Sequence, residues 1–248
     1  MKKIIKVDDV KKQFNGWYAL RGVTTNFEAG KVYGFLGNNG AGKTTLTKLI
    51  FQNFDYDGGN VTLNDKELKD VDYSEWFYFS ESADLPVDTQ VKEYIGRCYD
   101  YAQRPGKEYK TKVDKVMKII NIKKWWNKKI KSLSAGQKKM VVLFLCLLLR
   151  PKIVFFDEPT ANVDINNKEL ILKTIKTLKS EDTIVVVITH LIEEVEDILD
   201  HIVIMSDGLI KYDEPLESGQ SVTELFEKYA VDNSTQSERI KEYIEHVK

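Results

Sequence analysis

A glycine-rich stretch at residues 37–45, GNNGAGKTT, has the residue types needed to bind phosphate groups. It fills the fixed positions of G-x-x-x-x-G-K-[ST] and lies between an apolar run at residues 32–36 and a helix-like segment at residues 46–51. Backbone N–H groups of such a loop and the N-terminus of the helix attract negative charge. Lys43 is predicted to reach the β- and γ-phosphates of a nucleotide, and the hydroxyl of Thr44 to bind Mg²⁺. The alternative is a glycine-rich turn with a chance lysine, which the surrounding pattern argues against.

Two adjacent carboxylates follow a second buried strand. Residues 153–156 read IVFF, and Asp157 and Glu158 come directly after them. An acidic residue at the carboxyl end of a parallel strand lies where open α/β sheets bind ligands. Asp157 is therefore expected to hold Mg²⁺, directly or through water, and Glu158 to orient or deprotonate an attacking water. The alternative is a strand that ends in an acidic turn. The glycine-rich stretch at residues 37–45, hereafter the phosphate loop, argues against this alternative.

Two more segments could contact a phosphate. His190 follows a valine-rich strand at residues 183–188, where a histidine could donate to a γ-phosphate oxygen, although a lone histidine is more often structural. The sequence LSAGQ at residues 133–137 opens a long apolar helix, where Ser134 and Gly136 offer hydroxyl and N–H donors for an anion. Serine caps begin very many helices, so this segment alone does not identify a site.

An aromatic segment between two predicted strands could bind a purine base by stacking. Residues 14–18, FNGWY, lie between two predicted strands, with Phe14 as the candidate and Tyr18 as its substitute. The alternative is that these rings only cover the sheet. The basic run KKWWNKKIK at residues 123–131 suggests RNA or lipid headgroups, but it is short, so a solvated basic face with one buried tryptophan is favoured.

Composition limits the class of protein. With 248 residues, 42% hydrophobic and 30% charged, the chain can bury a sizeable core, and its net charge of −1 gives no overall attraction to nucleic acid or anionic membrane. Cys98 and Cys146 are too few for a disulfide framework. The N-terminus lacks the apolar middle of a signal peptide, and the apolar run at residues 140–149 is about half a membrane span, so a cytosolic protein is expected.

The elements that must position these residues alternate between strand-like and helix-like patterns. Residues 89–121 read as two helices inserted between strand-rich parts. Strands are predicted at residues 4–10, 22–27, 32–36, 61–63, 76–79, 153–156, 183–188, 200–205 and 209–212, and further helices at 138–150, 166–179, 222–229 and 237–247.

This ordered series resembles the nucleotide-binding subunit of an ATP-binding cassette (ABC) transporter over residues 4 to about 212. The motifs that carry the resemblance are Walker A at residues 37–45, the LSAGQ signature at 133–137, Walker B at 153–158, the D-loop at 161–164 and the switch His190. The resemblance implies an α/β fold, a P-loop NTPase core sheet with an antiparallel β subdomain and a helical subdomain that bears the signature. It divides the chain into a nucleotide-binding domain at residues 1–214, with the helical subdomain inserted at about 89–150, and a C-terminal helical tail at 215–248.

The resemblance also implies a role for each matching residue. ATP would be held by Gly37, Asn38, Asn39, Gly40, Ala41, Gly42, Lys43, Thr44 and Thr45, with adenine against Phe14. Mg²⁺ would lie at Thr44 and Asp157, Glu158 would be the catalytic carboxylate, with Lys43 and His190 contacting the γ-phosphate. Ser134, Gly136, Gln137 and Asp164 would complete the site of a second nucleotide-binding subunit, identical or different, which makes the protein a dimer.

The sequence departs from the family pattern at a few positions. Glu81 stands near the place of the Q-loop glutamine, where a carboxylate could still bind metal or water but puts the link to the permease in doubt. Ala135 replaces the commonest glycine of the signature, and Met140 and Leu145 stand where arginines are frequent. The wording DEPTANVD is similar to bacterial exporters of peptides, lantibiotics or other amphipathic compounds.

The hypothesis is an ATPase that powers a separate membrane permease and lies on the inner face of the membrane through that permease. No nucleic-acid partner is expected. Two rival functions remain at this stage: a cytosolic ABC ATPase acting on ribosomes or nucleic acid, and a regulatory cassette that only binds ATP. The first usually has two cassettes or a long coiled-coil insertion, and the intact Glu158 and His190 argue against the second.

Overall fold

The computed structural model describes residues 2–81, 85–102 and 108–230. Within them the strands are β1 (Ile4–Phe14), β2 (Trp17–Glu28), β3 (Val32–Leu36), β4 (Gly58–Leu63), β5 (Lys66–Glu67), β6 (Trp76–Phe79), β7 (Ile153–Asp157), β8 (Ile184–Ile188), β9 (His201–Ser206) and β10 (Leu209–Pro215). The α-helices are α1 (Lys43–Ile50), α2 (Val91–Tyr101), α3 (Tyr109–Met117), α4 (Ala135–Leu149), α5 (Ile165–Leu178), α6 (Ile192–Val195) and α7 (Val222–Ala230).

A six-stranded sheet forms the centre, in the order β10-β9-β3-β8-β7-β6. The strands from β9 to β6 are parallel, and β10 pairs antiparallel with β9 at one edge. Strands β3, β7 and β8 are buried at every position, which explains their unbroken apolar sequences. Since β8 lies between β3 and β7, the segments that follow all three strands meet at one edge of the sheet.

A second, antiparallel sheet has the order β2-β1-β4-β5 and packs on the first. Strands β1 and β2 are longer than predicted, because Asn15 and Gly16 form the two-residue turn between them with φ of 48° and 83°. Positive φ at both positions is the geometry that Asn-Gly favours in tight hairpins. The aromatic residues of this segment therefore lie on strand ends rather than in a loop.

Helices α2, α3 and α4 pack together as the predicted helical insert. Gln90 caps α2 in a capping box with Glu93. Helix α4, which contains the apolar run at residues 140–149, is buried around most of its circumference. The predicted break at Pro105 and Gly106 lies outside the described residues.

The last described helix, α7, confirms the helix predicted at residues 222–229 and packs against β9. Its final carbonyl, that of Ala230, accepts a hydrogen bond at 2.7 Å from Nδ2 of Asn38 in the phosphate loop. The helix predicted at residues 237–247 lies outside the described residues. Among the helices that are described, none has the length and apolar character to cross a bilayer.

Candidate active site

The phosphate loop leaves β3 and enters α1 through two backbone positions that exclude a side chain. Gly42 has a φ of 107°, and a Cβ there would lie 2.6 Å from the carbonyl oxygen of Ala19. A Cβ on Gly37 would lie 2.3 Å from the carbonyl oxygen of Met205. The loop therefore packs directly against β2 and β9, and these contacts fix where its N–H groups lie.

The side chain of Lys43 lies across this loop. Its Nζ donates to the carbonyl oxygens of Gly37 at 2.6 Å and Asn38 at 3.1 Å. Burial lowers the pKa of Lys43, whereas the charges of Glu158 and Asp157 act in the opposite direction. The structure therefore brings Lys43 within electrostatic range of both carboxylates at the end of β7, Asp157 and Glu158.

A cavity of about 180 Å³ runs along the loop. It is lined by Asn39, Gly40, Ala41, Gly42, Lys43, Thr44 and Thr45, together with Trp17 and Ala19 of β2. The side chain of Asn38 is engaged elsewhere, in its bond to Ala230. Most of the predicted phosphate-binding positions thus line one concave surface.

The aromatic residues at the β1–β2 hairpin divide between the two faces of their sheet. Phe14 and Trp17 are cross-strand partners, so their side chains lie on the same face. Phe14 is 42% exposed and contacts Phe54 edge-on, with ring centroids 5.6 Å apart, while Trp17 borders the cavity. Tyr18, the predicted substitute, is next to Trp17 in the strand and so lies on the opposite face. Phe14 and Trp17 together are the aromatic surface beside the phosphate loop.

Asp157, the last residue of β7, is buried and bonded to a neighbouring strand. Its Oδ2 accepts a hydrogen bond at 2.5 Å from the phenolic hydroxyl of Tyr78 in β6. Burial raises the pKa of Asp157, the charges of Glu158 and Glu81 add to this, and the Tyr78 hydrogen bond opposes it. The carboxylate is therefore held in an environment that favours a nearby cation.

Glu158 is held by the segment that follows β8. Its Oε2 accepts from Oγ1 of Thr189 at 2.9 Å, and its Oε1 accepts from the backbone N–H of His190 at 3.0 Å. Nδ1 of His190 lies 2.6 Å from the same Oε1. Glu158 itself has a φ of 45°, a left-handed conformation that is uncommon outside glycine and is frequent at functional sites. The two predicted catalytic residues, Glu158 and His190, are thus in direct contact.

Glu81 lies two residues beyond β6, and its side chain is exposed. Its charge raises the pKa of Asp157 and of Tyr78, which places it near the same edge of the sheet. Glu81 is close enough to act electrostatically on the site, and its predicted part in metal binding stays a prediction.

The signature segment forms a separate cavity of about 410 Å³. Ser134 is the N-cap of α4: its Oγ accepts from the N–H of Gln137 at 3.2 Å, and its own N–H donates to Oε1 of Gln137 at 3.1 Å. Asp164 caps α5 in the same way through the N–H of Asn167 at 3.1 Å. This cavity is lined by Trp125, Ser134, Ala135, Gly136, Gln137, Asn162, Asp164 and Asn167, and it shares no lining residue with the phosphate-loop cavity.

Four residues at these sites escaped the sequence analysis. Trp17 and Tyr78 belong to strands whose partners the sequence does not specify, and Thr189 was passed over beside His190. Lys139 is a buried cation in the apolar helix α4. A lysine that interrupts an apolar helix is a signal that could have been noticed, because buried charges require partners.

The residues present fit a Mg²⁺ ion bound together with a nucleotide. Asp157 supplies a buried carboxylate, and Thr44 supplies a hydroxyl beside the phosphate loop. Within residues 2–81, 85–102 and 108–230, no three His, Cys, Asp or Glu side chains form a group that could hold a metal by themselves.

Comparison with known proteins gives a consistent result. Residues 20–161 match the family described as ABC transporter. A protein of Pyrococcus furiosus, provisionally described as an ABC transporter ATP-binding protein, is 33% identical over 223 residues, which are 86% of this chain and 81% of that protein. The methionine import ATP-binding protein MetN of Clostridium acetobutylicum is 29% identical over 216 residues, covering 84% of this chain and 68% of the relative.

Among solved structures, the dimeric structure of a bacterial ABC transporter cassette is similar in fold. The TM-score is 0.77 at 24% identity, and the match covers 86% of this chain and 99% of that one. The predicted fold class, a P-loop NTPase core sheet with an antiparallel β subdomain and a helical subdomain, is confirmed.

Proposed function

Because this chain belongs to the ABC transporter family, we propose that it is the subunit that hydrolyses ATP to power a separate membrane permease. Members of this family bind ATP with Mg²⁺, and the chain is an ATPase of this kind. The observation that supports our assignment of its residues is that Lys43 lies within electrostatic range of Asp157 and Glu158, at the edge of the sheet where β3, β7 and β8 end.

In the proposed reaction the residues of the chain orient water and bind the phosphates. Thr44 and Asp157 would hold a Mg²⁺ ion bound together with ATP, and that ion would supply positive charge to the phosphate oxygens. Glu158, fixed by Thr189 and His190, orients the attacking water and accepts its proton. Lys43 exchanges its bonds to loop carbonyls for bonds to the β- and γ-phosphates, where its charge stabilises the transferring group.

The separate signature cavity supports a dimer. In one copy, Ser134, Gly136, Gln137 and Asp164 line a surface that has no part in that copy's phosphate-loop cavity. We propose that this surface contacts the nucleotide bound to a second copy, or to a related subunit, so that two nucleotides lie between two cassettes. Helix α4 begins at Ala135, in the lining of this cavity, and the N-terminus of a helix is suited to an anion.

The permease has a candidate docking place in a groove of about 750 Å³ between β6 and the helices α2 and α4. Five of its twelve lining residues are aromatic, and one of them, Tyr101, is 91% exposed. The groove is lined by Trp76 and Phe77 at the start of β6, the strand that leads to Glu81. We propose a cytoplasmic segment of the permease as its occupant.

We propose that transport is export, with peptides or other amphipathic compounds as substrates, and the sequence DEPTANVD at residues 157–164 supports this proposal. The competing proposal is import, because one relative, 29% identical to this chain, is named as a methionine import protein. Purifying the complex from native membranes and assaying uptake and release in proteoliposomes would distinguish the two. Recovery of the chain without any membrane protein would contradict the permease assignment.

The catalytic assignment is tested by Glu158→Gln, which keeps the shape of the side chain and removes the base. We expect ATP binding to remain and turnover to be nearly abolished, because an amide cannot accept the proton of the attacking water. Steady-state hydrolysis and binding of a fluorescent ATP analogue measure the two effects separately. Normal turnover in this variant would remove Glu158 from its role.

A further inference from the structure

Lys139 is a buried cation two residues beyond the LSAGQ segment. Only 2% of its surface is exposed, and it lies in α4 next to a run of buried apolar residues. A lysine is almost never buried to this extent unless its ammonium group is fully partnered. Its neighbour Lys138 is half-buried and makes a useful comparison, because it lies on the same helix.

The ammonium group of Lys139 binds two backbone carbonyls of another segment. Nζ donates to the carbonyl oxygen of Glu158 at 2.5 Å and to that of Ala161 at 2.7 Å. These carbonyls bracket the turn that joins the end of β7 to the D-loop, and within it the N–H of Ala161 donates to the carbonyl of Glu158 at 3.3 Å. One side chain of the signature helix therefore holds both ends of the turn.

The turn that Lys139 holds begins at a residue with a left-handed backbone conformation and is directly followed by another. Glu158 has a φ of 45° and Asn162 a φ of 59°, both in the left-handed region. Such positions persist only where surrounding contacts impose them. The two hydrogen bonds from Lys139 are contacts of this kind, because they fix the direction of the carbonyl of Glu158 itself and that of Ala161, three residues later.

Charge also favours a cation at this point. Burial lowers the pKa of Lys139, and the carboxylates of Glu81, Glu158 and Asp157 act against that effect. The ammonium group thus faces the acidic edge of the site while its bonds go to the backbone. Helix α4 and the turn also meet closely nearby, since a Cβ on Gly136 would lie 3.2 Å from the carbonyl oxygen of Asn162.

We propose that Lys139 is a positioning residue for hydrolysis: by holding the carbonyls of Glu158 and Ala161 it sets the direction of the catalytic carboxylate and ties it to the signature helix. The inference rests on the proposed role of Glu158. In the proposed dimer this contact would couple the two nucleotide sites. The N-terminus of α4 contacts the nucleotide bound to the second subunit, and Lys139 of the same helix positions Glu158, the base that acts on the nucleotide bound to its own subunit.

The experiment compares Lys139→Met, which keeps the length of the side chain without donors, with Lys139→Arg, which keeps charge and donors. We expect Lys139→Met to lower kcat by about tenfold or more while KM for ATP changes less than about twofold, since the phosphate loop is untouched. Lys139→Arg should recover most of kcat. Lys138→Met is the matched control and should hydrolyse ATP like the wild type.

Binding of a fluorescent ATP analogue and thermal unfolding are measured on every variant. The inference is overturned if Lys139→Met keeps normal kcat, or if Lys138→Met loses as much. It is also overturned if ATP binding falls together with kcat and Lys139→Arg restores neither, because Lys139 would then only support the fold. Glu158→Gln, run in parallel, separates this failure from failure of the proposed function: normal turnover there would remove the basis of both.

Discussion

The phenolic hydroxyl of Tyr78 donates to Oδ2 of Asp157 at 2.5 Å and so joins the edge strand β6 to the strand that ends in the acidic pair. The same strand β6 leads to Glu81 and lines the groove proposed for the permease. A single hydrogen bond therefore joins the expected metal-binding carboxylate to the strand whose first residues line that groove. Its strength depends on what else binds Asp157.

Replacing Tyr78 with phenylalanine should destabilise the nucleotide-free protein. Loss of the donor leaves a buried carboxylate oxygen without its partner, which costs about 1–3 kcal/mol in the free energy of unfolding. With Mg²⁺ and ATP present the loss should shrink, because the cation then satisfies Asp157. Urea denaturation with and without MgATP measures both values.

Tyr73→Phe is the control for Tyr78→Phe. The hydroxyl of Tyr73 donates to the backbone carbonyl of Ile50 at 3.2 Å and not to a carboxylate. The decrease in the free energy of unfolding caused by Tyr73→Phe should therefore be the same with and without MgATP. If the two variants respond alike to MgATP, the hydrogen bond to Asp157 has no connection with cation binding.

Asp157→Asn should make the nucleotide-free protein more stable at neutral pH while removing Mg²⁺-dependent hydrolysis. Burial raises the pKa of Asp157 above its ordinary value of 3.8, so the folded state binds this proton more tightly than the unfolded chain does. Above the raised pKa, the ionised carboxylate of Asp157 therefore lowers the free energy of unfolding. This destabilisation disappears as the pH falls through the raised pKa and the carboxylate becomes protonated.

The pH dependence distinguishes this cause from a general change in packing. In urea denaturation at several pH values, the advantage of Asp157→Asn over the wild type should narrow as the pH falls toward the raised pKa, since the other carboxylates are common to both proteins. A gap that stays constant with pH, or that has the opposite sign, would contradict the prediction.

Phe14→Ala and Trp17→Ala should each weaken ATP binding. The two rings are cross-strand partners beside the phosphate-loop cavity, and stacking of a base on an aromatic ring contributes about 1–3 kcal/mol. A loss of that size raises the Kd for ATP roughly 5- to 150-fold. Tyr18→Ala, on the opposite face of β2, should bind ATP like the wild type. Equal losses at all three positions would indicate damage to the hairpin instead of loss of stacking.

The two cysteines should differ in reactivity. Cys98 lines the groove and is half-buried, whereas Cys146 in α4 is fully buried, and burial raises the pKa of both thiols. We expect slow maleimide labelling of Cys98 in the folded protein, faster at higher pH, and labelling of Cys146 only after unfolding. Mass spectrometry of the native protein gives the site directly.

The same label tests the groove. In a complex purified with its permease, Cys98 should be protected from the reagent, and dissociation of the complex should restore its reactivity. Unchanged labelling in the intact complex would place the permease elsewhere, and Cys98→Ser supplies the unlabelled background.

Much of this arrangement could be predicted from local patterns. The phosphate loop, the acidic pair after β7 and the helix at residues 166–179 each follow from a motif or an apolar period contained in one stretch of sequence. The short strands predicted at residues 4–10 and 22–27 were wrong in extent, because the Asn15-Gly16 turn was not recognised and the rings beside it were treated as a loop.

What local patterns cannot supply is the set of contacts between distant strands. Thr189 reaches Glu158 across 31 residues and Tyr78 reaches Asp157 across 79, so neither bond leaves a trace in the spacing of nearby residues. The contact of Lys139 with the carbonyl of Glu158 depends on how α4 crosses the end of β7, which is decided by packing of the whole core.

Asn38 occupies a position at which the phosphate-binding motif allows any residue. Its side-chain amide donates a hydrogen bond to the last residue of α7, almost two hundred residues later in the chain. The carbonyls at the C-terminal end of a helix need hydrogen-bond donors, and Asn38 supplies one to α7. This bond therefore connects the phosphate loop to the last described turn of the chain. Shortened versions that omit α7 would consequently alter the nucleotide loop from a distance. Because Ala230 bonds directly to the phosphate loop, residue 230 is a suitable position for a spectroscopic reporter of nucleotide loading.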